Sequence, residues 1–497
     1  MTWTERVLTG SLLGAAACCL AVVLVRTYNV FILNAPSLAL TSGCEEESLF
    51  AIWRMTRGLP VYIPIEEIPF ASAYFNFGFY YTYGSITRLI LFFTQAPDIW
   101  IPTIARAITV LIAVTGIWSL GRMLKALHIH STMLKTAAFS CMMAFSPLCG
   151  FWIITARPDL AAIILELEAL TCFLLFMNSR SNKYWITGVL LCFAAWSFKQ
   201  TNVGVITGLC VYLLFHKEWL LLAFTCIITW SLYSVTLWLG GETFRFWLLW
   251  SQSGLPFYAE QSLLLIKSAF LKFPLAILPF IGVAYLAWKK RLNFLHQIKA
   301  PEVLLVTTTV ISLVLSILAA SKAGAADYYY IMPAILTAIC GIYLISNLNF
   351  TDTERHLILS IPAMLVLIST LLVITGIKGT LNQSTVHREH YELKQALRHL
   401  PSPAFISRRS MNLPWIQTHP PHLVWAFTYP ESPADEAHFE AGGIAGLIQN
   451  GYFQTLVLFN HLADQYTVPG LYSLKETHEK YKVYLLNRSA KKPECIP

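Results

Sequence analysis

Five polar clusters interrupt this largely apolar chain, and they hold residue types that could do chemistry. They are Glu45-Glu46-Glu47, Arg157-Pro158-Asp159, Lys199-Gln200-Thr201, Arg245 among aromatic residues, and Ser321-Lys322-Ala323-Gly324 leading into Asp327-Tyr328-Tyr329-Tyr330. A carboxylate near a hydroxyl can take its proton as a neighbouring bond breaks. Cations beside acids at a lipid interface suit an anionic, phosphate-bearing head group. Each cluster also has an ordinary reading. Arg-Pro-Asp can cap a helix, Lys199 can snorkel to an interface, and three glutamates can stand solvated in a loop. The chemical reading gains weight if the clusters meet on one face, which depends on the elements that carry them.

Those elements read as membrane spans. The chain has 497 residues, of which 56% are hydrophobic and only 12% charged, against about 25% charged in soluble domains. Stretches long enough to cross a bilayer recur along it. The net charge of +8 does not point to nucleic acid, because the basic residues lie in short patches between apolar runs. The cysteines fall mostly inside those runs, and no disulfide framework is implied.

Residues 7–25 read as a retained signal anchor. Further spans are expected at about 102–121, 135–154, 159–177, 186–200, 202–216, 219–239, 263–287, 303–320, 328–346 and 357–377. The stretch 186–216 is short for two spans. Residues 70–94 are rich in Tyr, Phe, Gly and Asn, an interfacial composition. If 70–94 does not cross, Arg122, Lys125, Lys135, Arg180, Lys183, Lys217, Lys289, Lys290, Arg291, Lys299 and Arg355 all fall on the side of the N-terminus. The positive-inside rule then gives about eleven transmembrane helices, with the N-terminus cytoplasmic and the C-terminus outside. The five polar clusters come out together on the outer face, a result not built into the charge count. Glu166 and Glu168 lie inside a span, where they face a cavity or pair with another helix.

The expected organisation is thus an all-α polytopic membrane domain over 1–378, with a first outer loop at about 27–102 carrying juxtamembrane helices, and a small extracytoplasmic α/β domain over 379–497. In the tail, short β-type runs (Ala404–Ser407, Leu423–Phe427, Thr455–Phe459, Lys482–Leu486) alternate with helical stretches (His387–Leu400, Ala434–Asn450, Leu471–Lys480).

The ordered motifs resemble a known superfamily. An acidic first outer loop is followed by Gly58-x-Pro60-x-Tyr62, an aromatic juxtamembrane stretch, Arg157-Pro158-Asp159, Lys199-Gln200-Thr201 and Lys322-x-Gly324-x-x-x-x-Tyr329. This set is similar to the GT-C glycosyltransferases, in the branch of the protein O-mannosyltransferases and the lipid A aminoarabinose transferase, and within it resembles uncharacterised bacterial mannosyltransferase-like members. The resemblance implies sugar transfer, with inversion, from a polyprenyl-phosphate donor to a glycan, lipid or protein acceptor outside the bacterial inner membrane. By family position it implies Glu45 as general base. Relatives carry Asp-Glu where this chain has Cys44-Glu45, so Glu46 and Glu47 stay open. It implies Asp159 as a second acid, Arg157, Lys199 and Lys322 as ligands of the carrier phosphate, and Gln200, Tyr329 and Arg245 as further substrate contacts. Some relatives use a divalent ion. Here Glu45 and Asp159 would hold it, as a hard, weakly bound ion. The tail resembles an acceptor-side or lid domain.

A lipid-linked-sugar transporter or flippase is the main alternative, although such proteins bind near the bilayer midplane between repeats, and no repeat is seen here. A ligase-like transferase and a non-catalytic scaffold are further alternatives.

Overall fold

The computed structural model describes residues 2–32, 45–129, 132–150, 152–251, 253, 255–288, 300–347, 350–375, 392–407, 413–415, 437–460, 466 and 470–487. In chain order its helices are α1 (Trp3–Ile32), α2 (Glu46–Thr56), α3 (Phe77–Thr94), α4 (Ile101–Ala126), α5 (Met133–Ala144), α6 (Pro147–Gly150), α7 (Asp159–Ser179), α8 (Asn182–Phe198), α9 (Gly204–Phe215), α10 (Trp219–Leu239), α11 (Gly241–Arg245), α12 (Ala259–Lys272), α13 (Leu278–Trp288), α14 (Ala300–Ala320), α15 (Ile331–Asn347) and α16 (Asp352–Thr375).

Among the described residues seven helices are long and apolar enough to cross a membrane, or nine if two bent pairs each count as one span. The bends lie at Pro147 and Pro274, where proline removes a helix hydrogen bond and clashes with the preceding turn. The expected count of eleven adds α8 and α9, which at 17 and 12 residues fall short of the length that a bilayer core of about 30 Å asks of one helix. Large apolar side chains face outward along these helices, among them Trp230 and Leu220 on α10. A water-facing surface would not carry such a belt. The chain is a multi-pass membrane protein.

Helix α7 lies at the centre, packed on α4 and α8. The α7–α8 approach is close because α8 offers Gly188, where an added Cβ would lie 2.4 Å from the Phe173 ring. Helix α9 meets α14 in the same way through Gly204 and Gly208 against Ser312 and Thr308. Small residues at such crossings let backbones approach where lipid supplies no hydrophobic drive between helices.

Helix α3 begins and ends on one face of this bundle. Asn76, at its start, donates to Trp196 O near the end of α8 (2.9 Å). Just past its end, Asp98 leads into α4 and accepts from Trp53 of α2 (2.9 Å).

After residue 392 the chain builds a four-stranded sheet from β1 (Ala404–Ile406), β2 (Thr455–Phe459), β3 (Tyr472–Thr477) and β4 (Tyr481–Leu486), in the order β1-β2-β4-β3. Strands β1 and β2 are parallel, and the other pairs are antiparallel. Helix α17 (Gly443–Gln449) covers it. The expectation of helix over Leu471–Lys480 is corrected: this segment is β3. Its Leu, Lys and Glu favour helix locally, but hairpin pairing with β4 decides, as edge-strand context commonly does. The expected run Leu423–Phe427 lies outside the described residues. The sheet unit docks on residues 61–75. Glu440 N donates to Glu66 O (2.8 Å), the Glu440 carboxylate accepts from Ile68 N (2.8 Å), and Phe439 packs edge-on against Phe70.

Candidate active site

The site grows from the start of α2. Glu45 is its N-cap and is fully buried. Its carboxylate takes two bonds from Arg106 of α4, Nε to Oε1 at 2.9 Å and Nη2 to Oε2 at 2.8 Å. Oε1 also accepts from the backbone of Ala156 at 2.8 Å. Glu45 thus ties α2 to α4 and to the turn before α7. Glu46 turns back so that its carboxylate accepts from Glu45 N (3.3 Å).

Glu47 points the other way. It is 2% exposed, its Oε2 has no hydrogen-bond partner among the described residues, and it lines a cavity of about 70 Å³ shared with Arg157, Lys199, Gln200, Lys322 and Tyr329. Burial is the main cause that pushes Glu46 up to about 7 and Glu47 up to about 8. Neighbouring glutamates add to both shifts, and Arg157 opposes that of Glu47.

Three cations face Glu47 across this cavity. Arg157, just before α7, pairs with Asp159 through Nε (2.9 Å) and lies over the rings of Tyr328, Phe75 and Trp152. Lys199, at the extended end of α8, pairs with the other oxygen of Asp159 and sits over Tyr328 and Tyr329. Lys322 has no carboxylate partner among the described residues and rests over Phe257. Gln200 donates to Tyr74 O (2.7 Å), leaving its buried Oε1 unpartnered. Asp159 holds two of the three cations in place, a role beyond capping α7. It lies behind the cavity, against a second hollow lined also by Glu166 and Ser312.

The turn that shapes the near wall explains Gly58-x-Pro60-x-Tyr62. Gly58 has φ +71°, a conformation that side chains disfavour. Arg54 Nε donates to Pro60 O (2.5 Å) and the Tyr62 hydroxyl to Phe75 O (2.8 Å). These bonds set Tyr74 and Phe75 on the cavity.

The structure thus gathers Glu47, Arg157, Lys199, Gln200, Lys322 and Tyr329. It does not bring Arg245 there: that residue is exposed at the end of α11, outside the cavity lining. Glu45 is adjacent but committed to Arg106. Glu166 accepts from Asn202 and Val205 N (3.0 and 3.1 Å), and Glu168 pairs with Arg122 (2.7 Å), so both serve packing between helices. Sequence reasoning missed Arg106, although a guanidinium inside an apolar span is itself a signal. Glu45 and Asp159 do not fit a divalent ion, since cationic side chains already occupy both. No group of three or more His, Cys, Asp or Glu residues suited to a metal occurs among the described residues.

The fold is shared with solved structures at low sequence identity. Among solved structures the chain is similar to ArnT from Cupriavidus metallidurans bound to undecaprenyl phosphate, with a TM-score of 0.57 at 13% identity over 96% of this chain and 98% of that one. The apo form of ArnT gives a TM-score of 0.60 at 13% identity, over 94% and 96%. The apo oligosaccharyltransferase of Archaeoglobus fulgidus gives 0.58 at 11% identity, over 93% of this chain and 70% of that one. No family model and no curated protein matches the sequence.

Proposed function

We propose that this protein is a membrane glycosyltransferase that moves a sugar from a polyprenyl-phosphate carrier to an acceptor hydroxyl, with inversion, at the extracytoplasmic face of a bacterial inner membrane. The observation that carries the reading is Glu47: a buried carboxylate with an unpartnered oxygen, set across a small cavity from Arg157, Lys199 and Lys322. The likeness in fold to a structure that holds undecaprenyl phosphate supports the choice of donor.

In this mechanism Glu47, in its ionised form, takes the proton of the acceptor hydroxyl. The acceptor oxygen bonds to the anomeric carbon as the bond from that carbon to the carrier phosphate oxygen breaks. The electron pair leaves with the phosphate, and the proton ends on Glu47. Lys322, Lys199 and Arg157 stabilise the charge that builds on the leaving phosphate. Gln200 Oε1 is placed to accept from a sugar hydroxyl, and Tyr329 walls the same space. Glu45 is a positioning residue in this scheme, holding α2 through Arg106, and Asp159 aims Arg157 and Lys199. The sheet unit after residue 392 serves as an acceptor-side lid.

The test is transfer of radiolabelled sugar from a panel of polyprenyl-phosphate sugars by purified wild type and Glu47→Gln. Transfer or slow donor hydrolysis by wild type, lost in the variant, supports the reading. Wild-type protein that binds polyprenyl phosphate yet transfers from no donor points instead to a lipid-linked-sugar transporter. Full activity in the variant moves the base to another carboxylate.

A further inference from the structure

A larger hollow lies at the opposite end of α2 from Glu47. It encloses about 500 Å³ between the last turn of α2, helix α3 and Asp98, and is lined by Arg57, Arg88, Leu89, Phe92 and Asp98 among others. It shares no residue with the Glu47 cavity. Nine residues separate Glu47 from Thr56, which at about 1.5 Å per residue puts the two sites some 13 Å apart along the helix.

Charge and surface in this hollow point to the same kind of occupant. Asp98 is already committed, accepting from Trp53 Nε1 at 2.9 Å and from Arg57 at 2.6 Å. Arg88 is exposed and has no carboxylate partner among the described residues. The hollow therefore carries a surplus of positive charge, with two guanidinium forks suited to phosphate oxygens. Apolar side chains border it: Leu89 and Phe92 in its wall are 56% and 68% exposed, and the next residue, Phe93, is 74% exposed. A water-soluble anion would leave those side chains against solvent, whereas a lipid covers them. Helix α3 is aromatic, with large apolar side chains exposed along it, a composition that suits a membrane interface.

We propose that this hollow binds the phosphate of an anionic glycerophospholipid from the surrounding bilayer, with Arg88 and Arg57 on the phosphate and an acyl chain along Leu89, Phe92 and Phe93. The site rests on the membrane setting alone and stands whether or not the sugar-transfer reading holds. A lipid seated there braces the last turn of α2, the helix that carries Glu47.

The experiment uses full-length protein in nanodiscs of equal parts phosphatidylglycerol and phosphatidylcholine, followed by native mass spectrometry of the lipids retained. Wild type is expected to keep phosphatidylglycerol over phosphatidylcholine about fivefold, the preference that one interfacial arginine contact typically supplies. Arg88→Gln should bring the ratio near one with an unchanged melting temperature, because the side chain is exposed. Arg57→Gln, which also loosens Asp98, provides a second variant with the same expected ratio. Equal retention of both lipids by wild type, or a preference that persists in both variants, overturns the proposal. Displacement of phosphatidylglycerol by equimolar undecaprenyl phosphate also overturns it, by assigning the hollow to the carrier lipid.

Discussion

Glu45 and Glu47 stand two residues apart at the start of one helix, in opposite electrostatic settings. Around Glu45 the charges balance: one carboxylate, one guanidinium, a bidentate bond and a backbone amide that completes the set. Around Glu47 they do not balance. Of three cations, Arg157 and Lys199 share Asp159, Lys322 has no carboxylate partner among the described residues, and Glu47 keeps an unused oxygen. A balanced buried pair stabilises an arrangement and does little else. An unbalanced one can receive a charged ligand. The difference separates a structural carboxylate from a reactive one where residue type cannot.

The largest expected effect is on Glu47 itself. Glu47→Gln should lower kcat by about 10²–10⁴-fold, the usual worth of a general base, with wild-type elution from a sizing column. Glu45→Gln should lower activity through stability instead. It leaves Arg106 buried against a weaker partner, at a cost of about 3–5 kcal/mol, read as a fall in melting temperature. The comparison breaks if the two variants exchange behaviours. It sharpens with Glu45→Leu combined with Arg106→Met, which should recover most of the stability, because an apolar pair of similar size avoids the desolvation cost of the ions.

Next is Lys322→Ala, where a cation with no carboxylate partner among the described residues is removed from the phosphate side. A loss of about 10²–10³-fold in kcat is expected, with little change in melting temperature, since no ion pair among those described is broken. The pH dependence is smaller and has a definite sign. Glu47 must be ionised to act as base, so kcat/KM of the free enzyme should rise with pH and level off above about 8. Stability runs the other way. The folded state holds this proton more tightly than the unfolded chain, whose carboxyl has the ordinary value of 4.5. The protonated form's contribution is full below that value and is lost as pH rises through about 8. Glu47→Gln should therefore match wild type near pH 4 and exceed it in melting temperature by pH 9. The smallest effect belongs to Arg245→Ala: exposed and outside the cavity, it should change kcat/KM by less than about twofold, in line with surface substitutions generally.

Much of the fold was legible before any coordinates. Apolar runs placed the helices that are long and apolar enough to cross a membrane. Where the reading missed, local preference and tertiary context disagreed. Tyr472–Thr477 holds helix formers but pairs as a strand. Helices α8 and α9 form where the sequence expected them, although each is short for a span, and they pack closely on α7 and α14. Of the residues that line the cavity, the sequence singled out Arg157, Lys199, Gln200, Lys322 and Tyr329, but it could not rank three consecutive glutamates, because the turn of α2 sends neighbouring side chains in different directions.

By itself, then, the sequence determined that this is a multi-pass membrane protein whose acids and cations collect on one face. The solvent sets that outcome: lipid requires long apolar helices and drives charge to their ends. Only the tertiary structure decided which charges cancel. Arg106 reaches Glu45 from 61 positions along the chain, and Lys199 reaches Asp159 from 40. Coulomb pairing depends on distance in space, and no spacing along the chain encodes that Glu47 is the carboxylate left over.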